Sequence, residues 1–528
     1  MPAYTIKLDG PLTRQSLSGV LGLIVSRIPP DYLKGQRWFA SKAREIGKVT
    51  LEDSTIIAQD KALFALTLIK VEFKEGAPEL YYMPMSLRTG VSRPDDGTAV
   101  RPTITLETPD GLFELLEGFD DPLFLEHAIR LIGESSTLNG SNGRFQFEHT
   151  TVLSGKDYIR TAAMARRLKG EQSNSSVIYG EDFIMKNFRK ITLGVNPDLE
   201  VPLFLTTRTG FRNIPLVAGY GTYIGNRGVT GAIASLQTYV NNEGDGWRYI
   251  LNHLQSLNEY ATKGIPKGHS DIPAAVSEFS GDCLGRMHRL GQLTGEMHNA
   301  LASDRMNNDF APEPTTYDDV WNWAERIRSY GSEVISLLGA RVDSLPPEIR
   351  EVARRVCSVA GTFWKMTESL VVLAKERVDK IRYHNDYHLG QVLKTGDGFV
   401  IIDFEGEPAR PLEERRAKHS PLKDVAGMLR SLNYSRYAAI YEKPSSPGDR
   451  NVSDLWCGAW EGLARAAFTK GYFETTREAG FLPQSQKEAR QVLKVFELDK
   501  AVYELNYELN NRPDWAGIPL KYLQGLLA

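Results

Sequence analysis

At 528 residues the chain is too long for one ordinary hydrophobic core, so two or three domains are expected. Lys+Arg number 63 against 66 Asp+Glu, a net charge of −3, which excludes bulk electrostatic attraction for nucleic acid or an anionic membrane. Cys283, Cys357 and Cys457 lie far apart with no C-x-x-C, which argues against a disulfide framework or a zinc site and fits a reducing cytoplasm.

The apolar patch at 20–25 is too short and too late for a secretory signal, and no run reaches membrane-spanning length. It reads as part of an amphipathic helix near 13–28. Alternating strands follow near 48–57, 62–73 and 80–87, giving a small α+β unit over 1–110. Trp38 and Phe39 between them read as core anchors.

Beyond a strand and helix at 111–134, strands are expected at 144–150, 162–167, 176–179 and 183–188. Glu171 to Ser176 is a polar turn of small residues, in which Ser173, Asn174 and Ser175 offer backbone N–H groups and hydroxyls to an anion. A plain hairpin turn explains it equally. Lys186 sits on the strand FIMKNF, and a Lys on an otherwise apolar inner strand needs an anionic partner. Asn196-Pro197 opens the next helix, with Glu200 in its first turn and a half. Gly219, Gly221 and Gly225 have G-x-G-x-x-x-G spacing between apparent strands, a hairpin rather than a dinucleotide fingerprint. A strand at 232–236 then runs into Gln237, Thr238, Tyr239 and Val240, a candidate hinge, and a polar linker from Asn241 to Trp247.

The remainder is helical by its 3–4 spacing, with helices expected at 247–260, 283–301, 317–338, 346–374, 422–431, 454–471 and 484–510. His288 and His298 share the second of these, ten residues apart, and read as core or cap histidines. Among these helices lies the stretch richest in chemistry, RYHNDYHLGQVLKTGDGFVIIDFEGE, from Arg382 to Glu407. Thr395-Gly396-Asp397-Gly398 is a hairpin turn, which folds Asp403 back towards the His384-Asn385-Asp386 turn. Phosphoryl transfer suits these residue types. Asp386 can accept a hydroxyl proton, and Gln391 and Asp403, with Glu405 for a second ion, offer the oxygen ligands Mg²⁺ prefers. His384 is grouped with Asp386 at the acceptor. Asp424 opens the next helix. Arg410, Arg415, Arg416 and Lys418 read as a solvated basic face or as phosphate and carbohydrate contacts. On the last long helix Lys500, Tyr503 and Tyr507 are spaced +3 and +4 and share one face, an ordinary core stripe or a surface for stacking on sugar rings.

Taken together, these segments resemble the bacterial maltokinases of the aminoglycoside-phosphotransferase-like branch of the protein-kinase fold. HNDYHLGQ here is similar to the family's HGDLHLGQ, departing at Asn385 and Tyr387, and DFEGEPARPLEERR matches DFEGEPARPLxERR. The run RWFASKAR resembles the family's WFGGKGR cap motif, with Ser41 and Ala43 in place of glycines, and KNFRKITLGVNPDLE and the Lys/Tyr/Tyr face followed by NRPxW are also similar. The resemblance implies an α+β, bilobal, protein-kinase-like fold with an extra N-terminal cap: cap 1–110, nucleotide-binding N-lobe 111–240, and helical C-lobe 241–528 with catalytic loop and sugar site. It implies ATP as donor, Mg²⁺ as cofactor and maltose as acceptor. Lys186 and Glu200 then serve the phosphates, Ser173, Asn174 and Ser175 the phosphate loop, and Gln237, Tyr239 and Val240 the adenine. Lys500, Tyr503 and Tyr507 face maltose. Asp424 takes the place of the Asp that, in this fold, supports the catalytic loop by accepting its N–H bonds. Trehalose synthase is a partner the resemblance allows, with no nucleic acid and no membrane. The rivals are an amino-sugar or aminoglycoside kinase, and a sugar-binding partner of trehalose synthase without turnover, at which Asn385 hints.

Overall fold

The computed structural model describes residues 4–59, 62–88, 104–168, 173–263, 271–396, 398–408, 410–441 and 447–526. They form two compact units: Met1–Thr207 with Pro215–Val240, and Arg208–Ile214 with Asn241–Ala528. Glu171 and Gln172 of the polar turn, and Asp397 of the hairpin turn, lie outside the described residues.

The first unit is built on two sheets. One has eight strands: Tyr4–Lys7, Ile104–Thr108, Gly111–Glu117, Met85–Arg88, Ala62–Phe73, Glu79–Tyr82 and Lys190–Ile191 in spatial order, with Ile46–Gln59 also paired to Ala62–Phe73. Helix Arg14–Ser26 starts at a capping box, Thr13 and Ser16 each bonding the other's backbone N–H, so two orphan donors are satisfied. Its Leu17, Leu21, Ile24 and Val25 are buried at helical spacing in the same cluster as Trp38, Phe39 and Tyr81. Trp38 is only 2 % exposed, and the Phe39 and Tyr81 rings stack 5.0 Å apart, so the cap motif's aromatics are core.

The second sheet has seven strands, in the order Ala165–Arg167, Asn174–Tyr179, Phe183–Phe188, Thr230–Thr238, Val217–Gly225, Gly143–His149 and Thr137–Asn139. The two sheets are joined covalently and by hydrogen bonds. Lys190–Ile191 leaves the Lys186 strand and pairs with Glu79–Tyr82 of the other sheet. Asp53, buried, accepts from Tyr223 Oη at 2.8 Å and from the Ser141 N–H at 2.7 Å. The strand expected over 162–167 is shorter: Asp157 caps a helical turn, Tyr158–Ala162, and only Ala165–Arg167 is extended. Gly219, Gly221 and Gly225 lie on a strand, Val217–Gly225, rather than between strands; the hairpin expected there is the antiparallel pairing of this strand with Thr230–Thr238.

The second unit is mainly helical. Gly246–Lys263, Gly281–Leu301, Tyr317–Arg341, Leu422–Tyr441, Pro447–Thr475 and Gln486–Asn511 are its long helices. Gly291 and Gly471 let Gly281–Leu301 and Pro447–Thr475 touch through their backbones, since a Cβ at either glycine would collide with the other helix's carbonyl, Phe468 O or His288 O. The helix expected over 346–374 is broken, with a 58° bend between Pro347–Ser358 and Ala360–Lys375. Its second part tightens to a 3₁₀ turn at Thr367–Leu370, where Thr367 Oγ1 donates back to the Trp364 carbonyl. Among the described residues no single helix is long and apolar enough to cross a membrane. Two short strands, Val392–Thr395 and Gly398–Ile401, form the hairpin that carries the site.

Candidate active site

The hairpin and the turn before it are tied together at one residue. The Ile402 N–H donates to the Gln391 carbonyl at 3.0 Å, and the Ile402 carbonyl accepts from His384 Nε2 at 2.9 Å. Gln391 and Asp403 thus flank adjoining positions of the hairpin base, and the Asp386 turn is anchored beside them. Asp403 itself has φ of 67°, as Asn385 has 68°, both in the left-handed region that Asn and Asp enter more readily than most residues. His384 is 1 % exposed, and its ring lies 4.7 Å from that of Phe404. It therefore holds the loop from behind.

Asp424 fixes the turn from the other side. Its buried carboxylate accepts from the His384 N–H at 2.7 Å, the Asn385 N–H at 3.0 Å and His298 Nε2 at 3.0 Å, while His298 Nδ1 accepts from Tyr472 Oη at 3.1 Å. His298 is thus a core residue that orients a carboxylate, and His288 is apart from it, paired with Glu474 at 2.9 Å. Asn385 Oδ1 accepts from Tyr383 Oη at 2.7 Å.

Asp386 projects into a cavity of about 350 Å³, within the range of small-ligand pockets. Lys500 Nζ lies 3.7 Å from Asp386 Oδ1 and 4.8 Å from the centre of the Tyr503 ring, so the last long helix supplies the facing wall. His388 Nε2 is 3.9 Å from Asp386 Oδ2; burial pushes its imidazole pKa down, against the pull of Asp386. Tyr507 is not among the lining residues. It is 48 % exposed, with the Arg512 guanidinium 5.5 Å from its ring centre.

Sequence reasoning missed Tyr330, Glu407 and Asp499 as lining residues. Glu407 ends the DFEGE run, and Asp499 precedes Lys500, so adjacency to residues already singled out was the available signal. Burial opposes ionisation of Glu407, but Arg410, bonded at 2.5 Å, and Lys500 outweigh it and hold the carboxyl below its usual range. Burial raises the Tyr503 hydroxyl, and the neighbouring Glu407 raises it further. The basic run is an ion-paired rather than a solvated face, and its Arg410 lines the cavity. Arg410 also reaches Glu414 at 3.1 Å, Arg415 Nε donates to the Glu405 carbonyl at 2.5 Å, Arg416 meets Asp309 at 3.1 Å and Lys418 meets Glu313 at 2.6 Å.

In the first unit the nucleotide candidates share one sheet. Lys186 is flanked in register by Ser176 and Ser235, Ser175 is opposite Asn187, and Gln237 is opposite Ile184. Ser173 accepts from Asn174 Nδ2 at 3.3 Å, and the Tyr239 N–H donates to the Asp182 carbonyl at 2.8 Å, after which Val240 ends the unit. A carboxylate beside Lys186 is that of Asp198, 2.6 Å away on helix Pro197–Arg208, which carries Glu200 two residues on. Asp198 was not singled out in the sequence; a carboxylate one residue after the helix-opening Pro was its signal. Among the described residues no three His, Cys, Asp or Glu side chains cluster as a metal cage. Gln391 and Asp403 meet at the hairpin base through the Ile402 backbone, and with Glu405 they carry oxygen donors of the kind Mg²⁺ takes.

Fold and site define a mixed α+β, protein-kinase-like chain with an added N-terminal sheet. Residues 32–108 match the maltokinase N-terminal cap domain, so the chain carries that cap. It is 25 % identical over 363 residues to a glucosamine kinase of Streptacidiphilus jiangxiensis, covering 68 % of this chain and 72 % of the relative. It is also 25 % identical over 391 residues to one of Mycolicibacterium smegmatis, covering 74 % and 86 %. In fold it is similar to a glucosamine kinase solved in complex with glucosamine, ADP and inorganic phosphate, at a TM-score of 0.63 and 20 % identity, covering 96 % of this chain and 99 % of that one.

Proposed function

We propose that the protein is an ATP-dependent sugar kinase that phosphorylates maltose at the anomeric hydroxyl, giving maltose 1-phosphate and ADP. The observation that carries this reading is the cavity in which the Asp386 carboxylate faces Lys500 and Tyr503. Asp386 orients the hydroxyl and accepts its proton as the new O–P bond forms and the bond from the γ-phosphorus to the β–γ bridging oxygen breaks. Tyr503 offers a ring face and a hydroxyl to the sugar, Lys500 a donor, and His384 holds the turn. Lys186, oriented by Asp198 with Glu200 on the same helix, pairs the phosphates. Ser173, Asn174 and Ser175 bond them, and Gln237, Tyr239 and Val240 meet the base. Asp403 and Gln391, with Glu405, would hold Mg²⁺, which supplies charge neutralisation on the phosphate oxygens. Three free cysteines, two of them buried, accord with a reducing cytoplasm, and a maltose-consuming kinase accommodates trehalose synthase as a partner.

A second reading, an amino-sugar kinase, is favoured by one observation: Glu407 and Asp499 line the same cavity, and carboxylates are what an ammonium group needs. ADP release with Mg²⁺ present, measured over maltose, glucose and glucosamine, separates the readings. Maltose is expected to lead, and Asp386→Asn to lose turnover by orders of magnitude while still binding ATP. A preference for glucosamine selects the second reading. Near-normal turnover of Asp386→Asn removes Asp386 from its role, and sugar binding without ADP release marks a non-catalytic protein.

A further inference from the structure

The eight-stranded sheet ends one of its strands, Gly111–Glu117, on a carboxylate that is 4 % exposed. Glu117 is nine residues beyond the matched cap region, and its two oxygens go to different places. Oε1 accepts from Arg189 Nη1 at 2.7 Å, and Oε2 from Arg167 Nη1 at 3.0 Å. Arg189 directly follows the Phe183–Phe188 strand that bears Lys186. Arg167 ends the strand paired to Asn174–Tyr179, and its other terminal nitrogen lies 3.5 Å from Ser175 Oγ. One carboxylate of the cap sheet therefore holds both the residue that follows the Lys186 strand and the edge strand, Ala165–Arg167, that pairs with Asn174–Tyr179.

The grip is enclosed. Arg189 has no exposed surface, and its guanidinium carbon stands 4.1 Å from the Trp38 ring centre and 5.0 Å from that of Phe119. Its Nε and Nη2 have no hydrogen-bond partner, so Glu117 is its sole hydrogen-bonded anion among the described residues. Burial opposes the charge on Arg167, but Glu117 and Asp120, the latter at 2.6 Å, more than restore it. A buried carboxylate bridging two guanidinium groups has little freedom to shift, and a change in its charge must move Arg189 at the end of the Lys186 strand or Arg167 on the neighbouring edge strand.

We infer that Glu117 is a positioning residue for the nucleotide phosphates, through which the cap sheet sets the spacing between Lys186 and the Ser173–Asn174–Ser175 turn. The inference rests on the kinase reading above and adds a role for the cap within it. It does not require Glu117 to touch the nucleotide.

The test compares ATP with adenosine by calorimetry in the full chain, wild type against Glu117→Gln. The expected result is an ATP affinity at least ten-fold weaker with adenosine affinity unchanged, and in turnover a raised KM for ATP with the sugar KM unaltered. A general loss of structure would weaken both ligands alike, and that result overturns the inference, as does an unchanged ATP affinity. If Glu117→Gln does not fold, Arg167→Lys, which keeps the charge and forfeits the fork, carries the same comparison with the same two outcomes. Wild-type protein that binds no ATP overturns the kinase reading and this inference with it; wild-type binding with an unaffected variant overturns this inference alone.

Discussion

Replacing Asp424 with Asn keeps the shape of the side chain and removes one acceptor and one charge. In the native structure Oδ2 serves two donors, the His384 N–H and His298 Nε2, and Oδ1 serves a third, the Asn385 N–H. An amide has one oxygen. Its best placement keeps that oxygen for the Oδ2 pair and turns the NH₂ group onto the Asn385 N–H. A buried donor then faces a donor, and the two remaining bonds lose their charge assistance. Leaving a buried donor unpaired costs about 1–3 kcal/mol, and a hydrogen bond to a charged group is worth about 1.5–3 kcal/mol against about 1 kcal/mol for a neutral one. The expected loss of stability is therefore about 2–4 kcal/mol, read as a lower urea midpoint with an unaltered slope. Turnover should fall as well, because Asn385 adjoins Asp386 and a shift of about 1 Å in a reacting group costs on the order of a hundred-fold. A stability change below about 0.5 kcal/mol with normal turnover would refute the argument that Asp424 fixes the loop.

At Asn385, with φ 68°, Gly and Ala both forfeit the bond from Tyr383, and Ala should cost about 1–2 kcal/mol more than Gly from the left-handed backbone; equal effects in thermal melts would contradict this. Burial lowers the pKa of His253 to about 4 from an ordinary 6.5, so between those values the unfolded chain binds a proton that the folded chain does not. That contribution to stability is intact above pH 6.5 and drains as pH falls to 4, by on the order of 3 kcal/mol, so His253→Gln should flatten the pH–stability curve in that window; an unchanged curve in urea titrations would count against it. Lys423 stands 4.0 Å from Asp499 at the cavity, and Lys423→Met should free that carboxylate. Glucosamine turnover relative to maltose should then rise several-fold in ADP-release assays, and a fixed ratio would dissociate Asp499 from acceptor choice.

Legibility followed the range of the interactions. The Phe183–Phe188 strand and the helix opening at Pro197 were readable because alternation and capping are local. The hairpin base was readable because turn chemistry carries its own mechanism, while the support from Asp424 was readable only through the resemblance to the kinase-like fold. The pairing of Lys186 with Asp198 was not, since which acids of a helix's first turn reach a neighbouring strand is decided by packing. The same holds for Tyr503 and Tyr507. They share a helix face by spacing, yet one lines the cavity and the other lies half-exposed beside Arg512, because the cavity reaches along that face only as far as Tyr503. The bend within the helix expected over 346–374 escaped because its apolar spacing continues through it.

The cavity's charges bear on which acceptor it suits. Four cations, Arg326, Arg410, Lys423 and Lys500, line it with four carboxylates, Asp386, Glu407, Asp424 and Asp499. Each carboxylate is already engaged: Glu407 by Arg410 at 2.5 Å, Asp386 by Lys500 at 3.7 Å, Asp499 by Lys423 at 4.0 Å, and Asp424 by two backbone N–H groups and His298. An incoming ammonium would have to displace a cation or share its partner, and would pay desolvation for a field that is nearly cancelled. A neutral sugar brings no charge to desolvate: its hydroxyls can donate to lone pairs that the paired carboxylates keep and accept from Lys500, while Tyr503 offers a ring face. On the proposed reading, it is this balance between the charges, rather than the presence of acids alone, that would suit the cavity to a neutral disaccharide.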